Sequence, residues 1–460
     1  MLFLSTRIKH PLDFELISTL ENRVRIANNL SSLTFQLKTL STGVLQVQTK
    51  LLCPEMKGEL RLFNHDDGKI RDGYAEDGCG RLDLGGIRTR YLPNAKRRPK
   101  RLATALALYC FQSTSFSIIN YENALTDADE ATVNLPNLGI IEGTSSVSLN
   151  GHNYYKFEGV PYAHPPLGEY RFKEPEPVKP WSGTREAKTI HVCMQYQQYI
   201  FSGDDPITGD EDCLYLNIYT PTLDKNAKLD VIVYIHGGAF MFLYGGFYGP
   251  HYIMDRDVVF INLNYRLGPL GFLSTENDVV PGNNGIKDQI LALQWIQNNV
   301  EYFGGNPDSV TISGMSAGGA SVHIHYLSPR SKGLFHRGIS QSGTALCPWV
   351  LMENPLDKTK RIASKLGCPS GETGEMVDCL RQKPAEEIVS CVKEFLYWLY
   401  NPFSPFGVVV DSWSLDPVLP DHPYTLLKKG QVSDLPWIAS LTNFEGMYPA
   451  SGLTPADPLL

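Results

Sequence analysis

The chain has 460 residues, enough for one large domain or two ordinary ones. It is 42% hydrophobic and 20% charged, the balance of a globular protein, and its net charge of −8 gives no electrostatic reason to expect a nucleic-acid partner. No apolar run is long enough to span a bilayer, so no transmembrane segment is expected.

Residues 1–95 hold short apolar patches broken by charged turns such as Asp66-Asp67-Gly68-Lys69, with no sustained helical or strand period. The basic cluster Lys96-Arg97-Arg98-Pro99-Lys100-Arg101 reads first as a solvated linker, and otherwise as a site for an acidic partner or a nuclear address. Residues 102–118 open on an apolar run, Leu102 to Phe111, that has the make-up of a secretory signal segment but begins far from Met1. Residues 1–131 are therefore treated as an unassigned extension, and 132–460 as the region that carries chemistry.

Nine cysteines leave at least one unpaired. Cys193 and Cys213 bracket one loop, and Cys368 and Cys379 a shorter one. Spacing alone admits either loop-closing disulfides or buried thiols.

From Thr132 onward the pattern sharpens. Gly139–Gly143 and Asn153–Phe157 read as short antiparallel strands around a turn at Asn150-Gly151. The proline-rich run Val160 to Gly168 excludes regular structure and predicts an ordered surface loop. Leu214–Tyr219, Val231–Ile235 and Val258–Leu263 read as strands, the last two continuously apolar as in a sheet covered on both faces. Asn284–Phe303 has helical spacing, with Ile286, Ile290, Leu293, Ile296 and Val300 on one face. Ser309–Ser313, Gly338–Gly343 and Pro436–Thr442 complete the predicted strands, with helices between 355 and 394. Strands alternating with helices predict an α/β fold, a central, mostly parallel sheet flanked by helices.

Ser309 to Gly319 is a strand running into Gly314-Met315-Ser316-Ala317-Gly318 and then a helix. A sharp strand-to-helix turn there would present the Ser316 hydroxyl as a nucleophile, and needs glycine on both sides. A capping serine in a tight turn is the plainer reading. Upstream, His236-Gly237-Gly238-Ala239 follows a buried strand. The N–H groups of Gly237, Gly238, Ala239 and Ala317 are candidate donors to an oxyanion, each worth about 3 kcal/mol in the transition state. His236 belongs to its turn, and His323 and His325 are expected to pack in the core beside Ser316. Phe395, Tyr397, Trp398 and Tyr400 read as core rather than a cofactor site.

These stretches, with Phe157-Glu158-Gly159-Val160-Pro161-Tyr162-Ala163, Glu211-Asp212-Cys213-Leu214-Tyr215-Leu216-Asn217, Asn264-Tyr265-Arg266-Leu267-Gly268 and Gln341-Ser342-Gly343, make residues 132–460 resemble the type-B carboxylesterases of the α/β-hydrolase fold. Met315 and the run Ser316–Ser328 look most like the insect branch of that family. The resemblance implies a serine esterase acting on a small-molecule ester through an acyl-enzyme, with no metal and no organic cofactor. It implies Ser316 as nucleophile and Glu445, in Asn443-Phe444-Glu445-Gly446, as the acid. It also implies the pairs Cys193–Cys213 and Cys368–Cys379, and with them a secretory location. The loop between Cys193 and Cys213 has Tyr196 and Tyr199 but no Trp to bind a choline cation, which argues against a choline ester.

One departure matters. The family's base is a histidine well beyond the acid, and no His follows Glu445 before Leu460. On this resemblance the sequence reads as a carboxylesterase domain truncated at its C-terminal end, with a sheet edge left open. Two other readings use the same fold: a non-catalytic binding or adhesion protein, and an ester-sequestering protein. The sequence leaves the oligomeric state unassigned.

Overall fold

A computed structural model describes residues 131–198, 206–398 and 401–447, and four earlier strands by their backbone. The chain divides into two compact units, Met1–Gln112 and Ser113–Leu460. In the first, β1 (Leu33–Thr39) pairs antiparallel with β2 (Leu45–Leu51), and β3 (Glu59–Asn64) with β4 (Lys69–Tyr74). The sequence reading placed no element there; the alternations that mark these strands, such as Leu33-Phe35-Leu37, are only a few residues long. The basic cluster at 96–101, the apolar segment 102–118, Tyr199 and Tyr400 lie outside the described residues.

The second unit is built on one twisted sheet. Its first strands are β5 (Ala131–Leu135), β6 (Gly139–Val147), β7 (Asn153–Pro161) and the short β8 (Thr184–Glu186). A separate pair, β9 (Gln195–Tyr196) and β10 (Ile207–Thr208), lies between Cys193 and Cys213. Then come β11 (Tyr215–Thr220), β12 (Leu229–Ile235), β13 (Val258–Leu263), β14 (Gly305–Met315), β15 (Arg337–Gln341) and β16 (Trp437–Ser440). The order across the sheet is β16-β15-β14-β12-β13-β11-β7-β6-β5, with β8 beside β6. From β16 to β13 every neighbour is parallel, and from β13 to β5 every neighbour is antiparallel. The strand–helix alternation thus gives the expected parallel sheet flanked by helices from β13 to β16, and antiparallel strands extend it from β11 to β5.

Helices α1 (Gly268–Phe272), α2 (Asn284–Asn299), α3 (Ala317–Leu327), α4 (Pro355–Lys365), α5 (Thr373–Arg381), α6 (Ala385–Ser390) and α7 (Pro423–Lys428) follow in chain order. The predicted helix 284–303 ends as an α-helix at Asn299 and tightens into a 3-10 turn, Val300–Phe303. Gly304 then takes φ 76° and donates its N–H back to that turn, which stops it.

Several motif residues away from the elbow tie the scaffold together. Arg266 donates to the Asp288 carboxylate three times, twice from its guanidinium and once from its backbone N–H, and once to the Lys173 carbonyl, tying the loop after β13 to α2. Arg171 grips both oxygens of Glu211 and reaches the carbonyls of Arg381 and Lys383. Asn217 accepts from the Gly159 N–H and donates to Asn262 across three strands. The proline-rich loop is not wholly at the surface: Tyr162 and Ala163 are buried, and the Tyr162 hydroxyl donates to the Asn264 carbonyl. Phe395 packs on Phe406 in the core, whereas Tyr397 and Trp398 are exposed. The sulfurs of Cys193 and Cys213 lie 2.09 Å apart, and those of Cys368 and Cys379 2.01 Å. Cys347 and Cys391 are unpaired.

Among the described residues β16 closes one edge of the sheet, with β15 as its only strand neighbour. Ile438, Leu441, Phe444 and Met447 are 62%, 77%, 76% and 64% exposed along and just beyond that edge. No helix among the described residues is long and apolar enough to cross a membrane.

Candidate active site

β14 delivers the chain to Ser316, and α3 begins at the next residue. Ser316 holds φ 57° and ψ −120°, a backbone conformation that a residue with a side chain rarely adopts. Neighbouring glycines make room for it. A methyl at Gly318 would lie 2.0 Å from the Ile235 carbonyl oxygen, and one at Gly343 2.0 Å from that of Ser316. One at Gly314 would meet the Gly318 backbone at 2.4 Å. The Ser316 N–H donates to the Gln341 carbonyl at 2.8 Å, so the tip of the turn is also anchored to the end of β15.

The upstream turn sits beside it. A Cβ added to Gly237 would be 3.3 Å from the Ser316 Cβ, which places that backbone against the Ser316 side chain. Gly238, Ala239 and Phe240 follow at φ 92°, 56° and 62°. Among the described residues the N–H groups of Gly237, Gly238, Ala239 and Ala317 donate to no protein acceptor. Unspent donors clustered at a nucleophile are what stabilising a developing oxyanion requires.

Glu445 lies in the turn after β16. Its Oε1 accepts from the Ser342 hydroxyl and from the Thr442 N–H, each at 2.7 Å. These bonds, the Thr442 N–H first, hold its carboxyl below the ordinary range, so it is ionised at neutral pH. Ser342 was not singled out from the sequence as a site residue. Its signal was its place in Gln341-Ser342-Gly343, immediately after the strand that abuts the elbow.

The three candidate histidines are all engaged elsewhere. His236 stacks on Tyr265 and shares a 2.9 Å bond between its Nδ1 and the Gly237 carbonyl. His325 bonds Ser331 through Nδ1 and Gln289 through Nε2. His323 accepts from the Ala345 N–H and packs against Trp437. Burial pushes His236 and His323 down to about 4 and His325 to about 3, so all three are neutral at pH 7. None of them bonds Ser316.

Parallel strands ending in a strained serine turn, an adjacent glycine turn with free N–H groups and a later acidic turn define an α/β-hydrolase. The family model described as carboxylesterase family matches residues 129–458, and the chain belongs to that family. It is 47% identical over 315 residues to venom carboxylesterase-6 of Apis mellifera, covering 68% of this chain and 57% of that protein. It is 47% identical to esterase FE4 of Myzus persicae, covering 67% of this chain and 55% of the relative. Juvenile hormone esterase of Tribolium castaneum is 40% identical over 328 residues, with 68% and 55% covered. The chain therefore spans a little over half the length of these relatives. Among solved structures, juvenile hormone esterase of Manduca sexta with OTFP covalently attached superposes with a TM-score of 0.64 at 33% identity, over 71% of this chain and 64% of that one.

Proposed function

We propose that this chain acts on carboxylic esters through a serine acyl-enzyme, with Ser316 as nucleophile. The observation that carries the reading is the pairing of the strained Ser316 turn with the free N–H groups of the 237–239 turn. Ser316 Oγ attacks the ester carbonyl as its proton passes to a general base, and the carbonyl π pair moves onto the carbonyl oxygen. The N–H groups of Gly237, Gly238, Ala239 and Ala317 stabilise that oxygen until its pair returns, the ester C–O bond breaks and the alcohol leaves with the proton from the base; water, giving its proton to the base, then displaces Ser316 to release the acid. Glu445 is the acid that would orient and stabilise a charged base. The covalently modified juvenile hormone esterase supports a fold that presents a reactive group to small molecules. The secretory pathway fits the two cysteine pairs.

A second reading uses the same site, capture of esters with little turnover, and its support is that His236, His323 and His325 each bond partners other than Ser316. Loss of a triad base costs on the order of 10⁴- to 10⁶-fold in rate. Burst kinetics with a chromogenic ester separate the two. Sustained turnover supports hydrolysis, one equivalent of released alcohol supports capture, and no release at all contradicts both.

A further inference from the structure

The oxyanion turn is strained in a way that its own sequence does not relieve. Glycine tolerates a positive φ, but Ala239 and Phe240, at 56° and 62°, do not. Residues in such conformations persist only where their surroundings over-determine them. The Gly238 carbonyl accepts from the N–H groups of Met241 at 2.8 Å and Phe242 at 3.1 Å, which fixes the peptide that carries the Ala239 N–H. The Phe240 carbonyl accepts from the Gly268 N–H at 2.8 Å. Between them the Ala239 carbonyl accepts from the hydroxyl of Ser404 at 2.9 Å. Ser404 comes from a segment 165 residues further on. Among the described residues, no other side chain bonds the backbone of Gly238, Ala239 or Phe240.

With the peptide before Ala239 held through Gly238 and the one after it held through Ser404, both backbone torsions of Ala239 are set. We propose that Ser404 is a positioning residue for the oxyanion turn, keeping Ala239 in the left-handed conformation that leaves its N–H free for the developing oxyanion. The inference rests on the esterase reading above. Ser404 does not carry the packing between the two segments: the Phe403 ring lies 5.8 Å from that of Trp349, which lies 6.2 Å from Phe240. Removing the hydroxyl therefore leaves the apolar contact in place.

The test is the rate at which a fluorophosphonate probe, whose phosphonyl oxygen occupies the same donors, modifies Ser316. Maximal rate and half-saturating probe concentration are measured separately for the full chain, Ser404→Ala and Ser404→Thr, with thermal melting to show that each is folded. Ser404→Ala should lower the maximal rate about tenfold, with half-saturation unchanged, because donors act on the transition state more than on binding. Ser404→Thr, which keeps the hydroxyl, should restore most of the rate. Unchanged labelling of Ser404→Ala, a parallel loss of rate and binding, or a folded Ser404→Thr that stays slow would each overturn the inference while the esterase reading stands. Absence of labelling in the unsubstituted chain would overturn both.

Discussion

Ser316 at φ 57° shows how a single residue can be read from sequence when all its constraints are local. The glycines two positions before and after it, and the apolar strand leading in, lie within a dozen residues. Glu445 was legible only through resemblance, since the hydroxyl that holds it belongs to Ser342, 103 positions earlier. Ser404 was not legible at all: its partner Ala239 is distant in sequence, and a lone serine in a proline-containing loop carries no periodic signal. The histidines give a prediction at this scale. In the fold burial holds His236, His323 and His325 at about 4, 4 and 3, against an ordinary value of 6.5 in the unfolded chain. Between those values the unfolded chain binds more protons, so stability rises with pH and is lost as pH falls from 6.5 toward 4. Each group contributes up to about 1.4 kcal/mol per pH unit within that window. Melting temperature measured from pH 7 to 4.5 should fall steeply, and His325→Gln should flatten the curve; an unchanged slope would contradict the buried, neutral assignment.

At the scale of elements, strands with continuous apolar runs were placed within a few residues, because burial on both faces leaves no other pattern. The antiparallel start of the sheet was legible from the turn at Asn150-Gly151 between two short strands, whereas the order of its strands depends on partners rather than on composition. The proline-rich loop was misjudged as surface because Tyr162 is buried under a hydroxyl bond to Asn264 that sequence does not reveal. The elbow itself is an element-scale device, in which α3 crosses β12 at a distance that only glycine allows. Gly318→Ala would drive a methyl to within 2.0 Å of the Ile235 carbonyl oxygen. That substitution should destabilise the domain by about 3 kcal/mol, read as a shift in denaturant midpoint, and abolish labelling of Ser316. Wild-type stability with intact labelling would show that α3 does not approach β12 so closely.

For the whole molecule, the site gathers at the ends of the parallel strands. The oxyanion turn follows β12, the elbow follows β14, Ser342 follows β15 and Glu445 follows β16. Two ion pairs tie the surrounding loops together: Arg266–Asp288, buried, joins the loop after β13 to α2, and Arg171–Glu211, nearly buried, joins the loops before β8 and β11. Among the described residues β16 stands at the edge of the sheet, and Ile438, Leu441 and Phe444 are exposed on it and in the turn that carries Glu445. The account stands on Ser316 being a nucleophile beside working oxyanion donors. Intact-mass analysis after incubation with a fluorophosphonate probe, followed by peptide mapping, tests this most directly. The account predicts a single slow adduct on the peptide containing Ser316 and none in Ser316→Ala. No adduct in the folded chain, or one that survives in Ser316→Ala, would contradict it.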